Sequence, residues 1–384
     1  MRTLVAALVC IFAPVLAQQS IAPWPETTQR IPSTCFSQFD NLYLDCGPRT
    51  FFSVSPTVNI GKSFDLKGGR KCSWAQFYTA PEGLPEPITL PGTAVLVFER
   101  HCTAGHSAHL FHFLEQLIGL WAFGGEASRD DVNRFFIVGN GGRTLSYWKG
   151  ENGTTYHLIR ALFPNATIQT WDDFLMEFSG QVVCFEKAIT SDRSMERHKI
   201  EPYFTERMLG GYFYLVDDDA IDHLTSAVWE YCDVASPPPD RTVVTYVRRA
   251  GGRHLAAATE AELLRRIEEL PHVELVTVDF AAIPFSEQIR ITARTDILLG
   301  VHGNGLSHAL FLPQRATLIE LFPANCFKVE YRFFARWRQV AHHGWIDQSG
   351  WVTDPNLPAR GNVFVNEVGT DIDAIMDLLY SILS

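Results

Sequence analysis

Short apolar runs closed by glycine, proline or charge recur along this chain, and segments of helical spacing lie between them. Thr93–Phe98, Arg134–Val138, Gln181–Ala188, Thr242–Val247, Val273–Asp279, Ile297–Leu299 and Ala316–Phe322 each have the length and apolar character of a buried strand. His106–Leu117, Ala220–Tyr231, Glu260–Leu270, a segment opening at Ser286, and Asp371–Leu383 carry apolar residues at three- and four-residue spacing, the signature of amphipathic helices. Strands alternating with helices predict an α/β fold with parallel sheets. Ser236-Pro237-Pro238-Pro239-Asp240 is the clearest linker, since three prolines in a row make a stiff extended spacer. It divides a first domain, 91–235, from a second, 241–325, with a C-terminal extension over 326–384 that ends in a closing helix. Residues 18–90 are rich in Pro, Ser, Thr and aromatics, with β-like pieces such as Arg49–Val54, and predict an irregular, partly β region leaning on the first domain.

The densest pattern is Asp296–Pro323, DILLGVHGNGLSHALFLPQRATLIELFP. An apolar strand is broken by His302-Gly303-Asn304-Gly305. Leu306, Ala309 and Leu310 follow at helical spacing, Pro313 stops the helix, and Ala316–Phe322 forms the next strand around one charge, Glu320. Glycines let a backbone approach a ligand closely, and the first turn of a helix offers unpaired N–H groups to phosphate. The plainer reading is a turn that only connects strand to helix. An acid near a strand end, as at Glu320, is placed to hydrogen-bond a ribose diol. Upstream, Arg248-Arg249-Ala250-Gly251-Gly252-Arg253 follows the strand Thr242–Val247. A basic, glycine-containing loop there is either an anion site or an ordinary solvated loop.

Composition narrows the classes. The chain has 384 residues, is 46% hydrophobic, and carries a formal charge of −11, which argues against nucleic acid as the main partner. Met1–Ala17 has one arginine, an apolar core and a small-residue end, the pattern of a secretory signal peptide; Pro14 and its short length argue against a membrane anchor. Cys10 would leave with it. Cys35, Cys46, Cys72, Cys102, Cys184, Cys232 and Cys326 remain, with Cys35–Cys46 the nearest candidate pair in an oxidising compartment. Asn152-Gly153-Thr154 and Asn165-Ala166-Thr167 are N-glycosylation sequons.

Two further clusters bear on chemistry. His109, His112 and Glu115 fall along one helix edge, with Leu110, Leu114 and Leu117 toward the core. No third ligand lies nearby to make this a zinc site. Tyr212–Val216 followed by Asp217-Asp218-Asp219 is either an Asp-x-Asp manganese site on a sugar diphosphate or, as three acids at a helix start favour, the N-terminus of the helix that follows, with Asp219 as a good cap.

The stretch from Ser286 to Pro323 resembles the signature of glycosyltransferase family 61: an apolar strand, then Gly-x-His-Gly-Ala-Gly-Leu-[Ser/Thr]-[Asn/His], then Phe-x-Pro. Gly300, His302, Gly303, Gly305, Leu306, Ser307, His308, Phe311 and Pro313 stand in register, and Asn304 replaces the usual Ala. His112 and Glu115 match the family's looser His-and-acid helix, Cys184-Phe185-Glu186-Lys187-Ala188 a strand marker, and Arg248 its post-strand arginine, with Arg249 and Arg253 weaker matches. The resemblance implies a GT-B architecture, two Rossmann-like domains facing a cleft. It implies inverting transfer of a sugar from a UDP-sugar to a hydroxyl of a secretory-pathway glycoprotein or glycan, with no obligatory cofactor or metal. Arg248, His302, Gly303, Asn304, Gly305, Leu306, Ser307 and Glu320 would hold the donor, and Glu115 or His112 would be the base. The Glu287–Thr292 run is similar to that of GlcNAc-transferring members; a xylosyltransferase and a non-catalytic glycan- or nucleotide-binding module are the alternatives. The implied location is the endoplasmic reticulum or Golgi lumen, or outside the cell, with no span left after signal cleavage.

Overall fold

A computed structural model describes residues 36–45, 50–53, 77–79, 85–98, 110, 113–114, 117, 131–138, 150–191, 218–235, 241–249, 252–353, 361 and 367–384. The signal-like segment, the Pro-rich linker, His112, Glu115 and Asp217 lie outside these residues.

The first sheet contains β1 (Phe36–Asp45), β2 (Thr50–Ser53), β3 (Phe77–Thr79), β4 (Ile88–Phe98), β5 (Val132–Val138), β6 (Thr167–Thr170) and β7 (Val182–Ser191), in the order β3-β2-β1-β7-β4-β5-β6. β7, β4, β5 and β6 run parallel, as the alternating pattern requires. β1 pairs antiparallel with β7, so residues from the region expected to be irregular and partly β are strands of the sheet itself. Helix α1 (Thr154–Leu162) and helix α2 (Trp171–Glu177) flank β6 in sequence; the Thr170 hydroxyl accepts from Asp173 N–H at 3.1 Å and caps α2. Helix α3 (Asp218–Tyr231) follows. Asp219 therefore sits inside its first turn and is exposed; it is not the cap.

The second sheet is built from β8 (Thr242–Val247), β10 (Val273–Val278), β11 (Ile297–Val301), β12 (Thr317–Phe322), β13 (Ala341–Ile346) and β14 (Gly350–Trp351). A two-residue strand, β9 (His254–Leu255), pairs instead with β15 (Glu367–Val368). Helices α4 (Ala257–Glu268), α5 (Phe285–Ala293), α6 (Glu330–Trp337) and α7 (Ile372–Leu383) complete the unit, and Asp371 caps α7 through the Ala374 N–H. The order is β10-β8-β11-β12-β13-β14, with all pairs parallel except the last. The sheet thus takes in β13 and β14 from the segment read in the sequence as a C-terminal extension. β13 reads Ala-His-His-Gly-Trp-Ile, too polar to announce itself as a buried strand.

The faces of this sheet follow the two-residue period of strands. Odd positions of β11 and β12, namely Ile297, Leu299, Val301, Ile319 and Leu321, pack with α4 and α7 residues such as Leu263 and Ile375. Even positions, Leu298, Leu318 and Phe322, join a core continuous with Val95, Val97, Phe135 and Leu158 of the first unit. Leu110, Leu114 and Leu117 are buried in that same core, as their helical spacing predicted, and Phe113 joins them.

Where the signature predicts a helix after the glycine turn, Asn304–Phe311 is a 3₁₀ helix. Helix α3 takes up its last carbonyls. Thr225 Oγ1 donates to Leu310 O at 3.0 Å, Trp229 Nε1 to Phe311 O at 3.1 Å, and Arg338 Nε, from beyond α6, to Leu312 O at 2.7 Å. Arg338 also pairs with Asp222 of α3. Buried carbonyls need partners, and here those partners tie α3 to the segment that carries the turn.

Candidate functional site

In a doubly wound sheet, ligands bind beyond the carboxyl ends of the strands where the order reverses. β8 connects to β10 on one side, and the chain then returns to β11 on the other. The reversal lies between β8 and β11. Two sequence motifs end there: the Arg248–Arg253 loop and the His302–Gly305 turn.

Strand parity decides which arginine faces the turn. Tyr246 and Arg248 share one face of β8, and both bind Glu260 of α4: Tyr246 OH donates at 3.0 Å and Arg248 Nε at 2.8 Å. Val247 and Arg249 share the other. Arg249 Nη1 donates to His302 O at 3.2 Å. Arg248 is thus half-exposed and held to α4. The arginine over the turn is its neighbour, and the expectation for Arg248 moves to Arg249 on this geometry.

The glycines divide in the same way. A Cβ on Gly305 would meet Val247 Cγ1 at 2.6 Å, and one on Gly300 would meet Val247 Cβ at 3.1 Å and Leu306 Cδ2 at 3.2 Å. These two let the turn lie against β8. A Cβ on Gly303 would fall 1.3 Å from Arg249 Nη1, so this glycine makes room for the guanidinium. Gly303 has extended backbone (φ 162°, ψ 176°). Asn304 is half-buried, and its Oδ1 accepts from the Ser307 hydroxyl at 3.2 Å. Leu306 and Ser307 are fully buried. His308, also in the signature, lies under the turn, stacked on Phe280 with ring centroids 3.8 Å apart. Its ring nitrogens are 2.9 Å from Gly305 O and from Gln288 Oε1. Burial holds its pKa down at about 4, and a neutral ring gives its single proton to one of these acceptors.

Glu320 departs from expectation most. It is 0% exposed, and its two oxygens face two imidazoles: Oε1 lies 2.5 Å from His302 Nδ1 and Oε2 2.9 Å from His342 Nε2. An enclosed carboxyl engaged on both oxygens is not at hand for a ribose, and the contact expected from the sequence is corrected to this one. The register explains it. Gly300, Glu320 and Gly344 pair across β11, β12 and β13. His302 lies two residues past Gly300 and His342 two before Gly344, so both imidazoles share Glu320's face and reach it diagonally. His342 carried no signal in the sequence beyond lying in a basic, aromatic stretch.

Burial pushes the Glu320 carboxyl well above the carboxylate range, with Glu330 adding and Arg332 and Arg253 opposing. Burial likewise holds His302 well below the imidazole range, helped by the Arg253, Arg249 and Lys328 cations. His342 is lowered to about 3, first by burial and then by Arg332 and His343. Tyr331, stacked obliquely beside His302 at 5.2 Å, is raised by burial and by Glu330 and Glu320.

Elsewhere, Asn152 and Asn165 are both exposed. Cys184, Cys232 and Cys326 are buried thiols, not disulfides; Cys35, Cys46, Cys72 and Cys102 lie outside the described residues. Among the described residues no cluster of three metal-ligating side chains forms, and no helix is long and apolar enough to cross a membrane.

The fold and site are those of a parallel α/β sheet with a basic glycine turn at its switch point. The profile described as Glycosyltransferase 61 matches residues 110–319, more than half the chain, and the chain belongs to that family. Its curated relatives include EGF domain-specific O-linked N-acetylglucosamine transferases. The Drosophila melanogaster protein is 30% identical over 182 residues, which is 44% of this chain and 32% of that protein. The Gallus gallus protein is 27% identical over 191 residues, 46% of this chain and 34% of that protein. The matched segments thus span about a third of the relatives' length.

Proposed function

We propose that this chain transfers a sugar from a nucleotide-diphosphate donor to a hydroxyl, with the donor's diphosphate at the β8–β11 switch point. The observation that carries the reading is the Arg249 guanidinium, held against the His302–Gly303 turn where a parallel sheet binds anions. Cleavage of the sugar–phosphate bond builds charge on the departing diphosphate. Arg249, the Gly303–Gly305 backbone and His302 are the groups that would stabilise it. Family membership and the relatives' names favour N-acetylglucosamine as the sugar, UDP as the carrier and a secretory-pathway glycoprotein as acceptor. In this reading the two sheet units are the halves of a GT-B enzyme. Inversion then asks for a base on the wall opposite the diphosphate, and His112 or Glu115 is the candidate for it. Asn152 and Asn165 would carry glycans in the same compartment.

The test is a thermal-shift panel of UDP, UDP-GlcNAc, UDP-xylose and GDP-mannose, each with and without EDTA. A ligand that binds the native state raises Tm by mass action. The expected result is a rise with UDP and with UDP-GlcNAc that survives EDTA. A rise with UDP-xylose alone would change the donor. No rise with any nucleotide would overturn the reading and leave the turn as a connector. Loss of the shift in EDTA would bring back the metal-dependent alternative, to be sought at Asp217 and Asp219.

A further inference from the structure

The diphosphate reading above does not use Glu320 or His342, and their placement is costly enough to need a function. A carboxyl and two imidazoles are buried together across three adjacent strands, with glycines at the two positions level with the carboxyl. Removing such groups from water costs several kcal/mol unless they satisfy one another. A Cβ on Gly344 would come within 3.5 Å of His342 Cε1, so that glycine leaves room for the imidazole, and both Glu320 oxygens are engaged. His302 spends Nδ1 on Glu320. Nε2 is its remaining nitrogen, and among the described residues it has no hydrogen-bond partner, while the His302 carbonyl and the following glycine hold Arg249.

We propose that Glu320 and His342 are positioning residues that keep one proton in the His302–Glu320–His342 row, so that His302 presents Nε2–H as a donor to the diphosphate. The inference rests on the donor-site reading. The row works as follows. Glu320 donates from Oε1 to His302 Nδ1, which forces the neutral ring's own proton onto Nε2. His342 donates Nε2–H to Glu320 Oε2 and so fixes the carboxyl's orientation. As charge grows on the departing diphosphate, the proton can shift from Oε1 to Nδ1. This leaves an imidazolium facing the terminal phosphate as that phosphate gains its second negative charge, with a carboxylate behind the ring; no proton enters or leaves the row. When the row loses its proton, Glu320 becomes a carboxylate, the proton of His302 moves to Nδ1, and Nε2 turns from donor to lone pair. Phosphate then meets a lone pair, and affinity falls.

Other charges face the row. Arg249 and Arg253 lie beyond β8, and Lys328 lies ahead of α6. Glu330, Tyr331 and Arg332 lie on α6, and His343 lies beside His342. These groups are common to the variants below, as is the ionisation of UDP, so they cancel in ratios.

The experiment is isothermal titration of UDP into wild type and Glu320→Gln from about pH 6 to about pH 9. A glutamine amide donates to Nδ1 and accepts from His342 as the protonated acid does, and it does not titrate in this range. At low pH the two proteins should bind UDP alike, within about threefold. Above the row's midpoint wild type should weaken relative to Glu320→Gln by about tenfold per pH unit. His342→Phe removes a donor that favours the carboxylate over the acid, so its midpoint should lie at higher pH. If Glu320→Gln does not fold, long-range ¹H–¹⁵N spectra of histidine-labelled wild type read the tautomer directly: His302 must carry its proton on Nε2. Parallel pH profiles for wild type and Glu320→Gln, or a proton found on Nδ1 at neutral pH, would overturn the proposal while leaving the nucleotide site intact. Failure of wild type to bind UDP at any pH would overturn both.

Discussion

Gly303→Ala tests whether the arginine over the turn is what makes it a binding site. The new methyl would sit 1.3 Å from Arg249 Nη1 and 2.6 Å from Arg249 Cζ, so the guanidinium must leave. Little else must. The backbone at Gly303 is extended, a conformation alanine adopts, and the displaced atoms are the far end of a flexible side chain. The folding cost is the Arg249–His302 carbonyl bond, 3.2 Å long and half-buried. That places it at the weak end for a charged donor, about 1.5 kcal/mol. The binding cost is larger. A charged hydrogen bond to phosphate is worth about 2 kcal/mol, which is about thirtyfold in Kd for UDP. Calorimetry should therefore show Gly303→Ala binding UDP about thirtyfold more weakly, with Tm little changed. Arg249→Ala should cost the same, and the double variant no more than either single, because both changes remove one interaction. Arg248→Ala should stay within about twofold of wild type, since Arg248 is held to Glu260 on the opposite face. Wild-type affinity in Gly303→Ala would refute the argument. So would strict additivity in the double variant.

Gly305→Ala drives a methyl to 2.6 Å from the buried Val247 Cγ1, and overpacking of that kind costs about 1–3 kcal/mol; urea unfolding should show the loss, and Val247→Ala in the same chain should restore part of it. Trp229→Phe orphans the buried Phe311 carbonyl, for a loss of about 1–3 kcal/mol in the same assay. His308 makes stability depend on pH. Its folded pKa of about 4 lies below that of an unfolded histidine, about 6.5, so the native state binds fewer protons. Its contribution is full above the unfolded value and is lost as pH falls toward the folded one, with about 2 kcal/mol gone by about pH 5. His308→Asn should flatten urea midpoints over that window relative to wild type, and an unchanged slope would count against it.

The strands and the turn were determined by local chemistry. Thr242–Val247 and Ala316–Phe322 are apolar runs with no other stable place than a buried sheet, and His302-Gly303-Asn304-Gly305 interrupts such a run with residues that end strands. The buried face of the segment from Leu110 to Leu117 was legible for the same reason, since spacing along one helix fixes a face without reference to any partner. What tertiary structure alone decided is which side chains meet. Arg248 and Arg249 are equivalent in composition, yet one residue of strand parity sends the first to Glu260 and the second to the turn. Glu320 read as a strand-end acid, and only the register of β11, β12 and β13 puts an imidazole on each of its oxygens. A sequence records the period of each strand but not the offset between strands. That offset is set by how whole faces pack, and it determines which polar groups share a buried space.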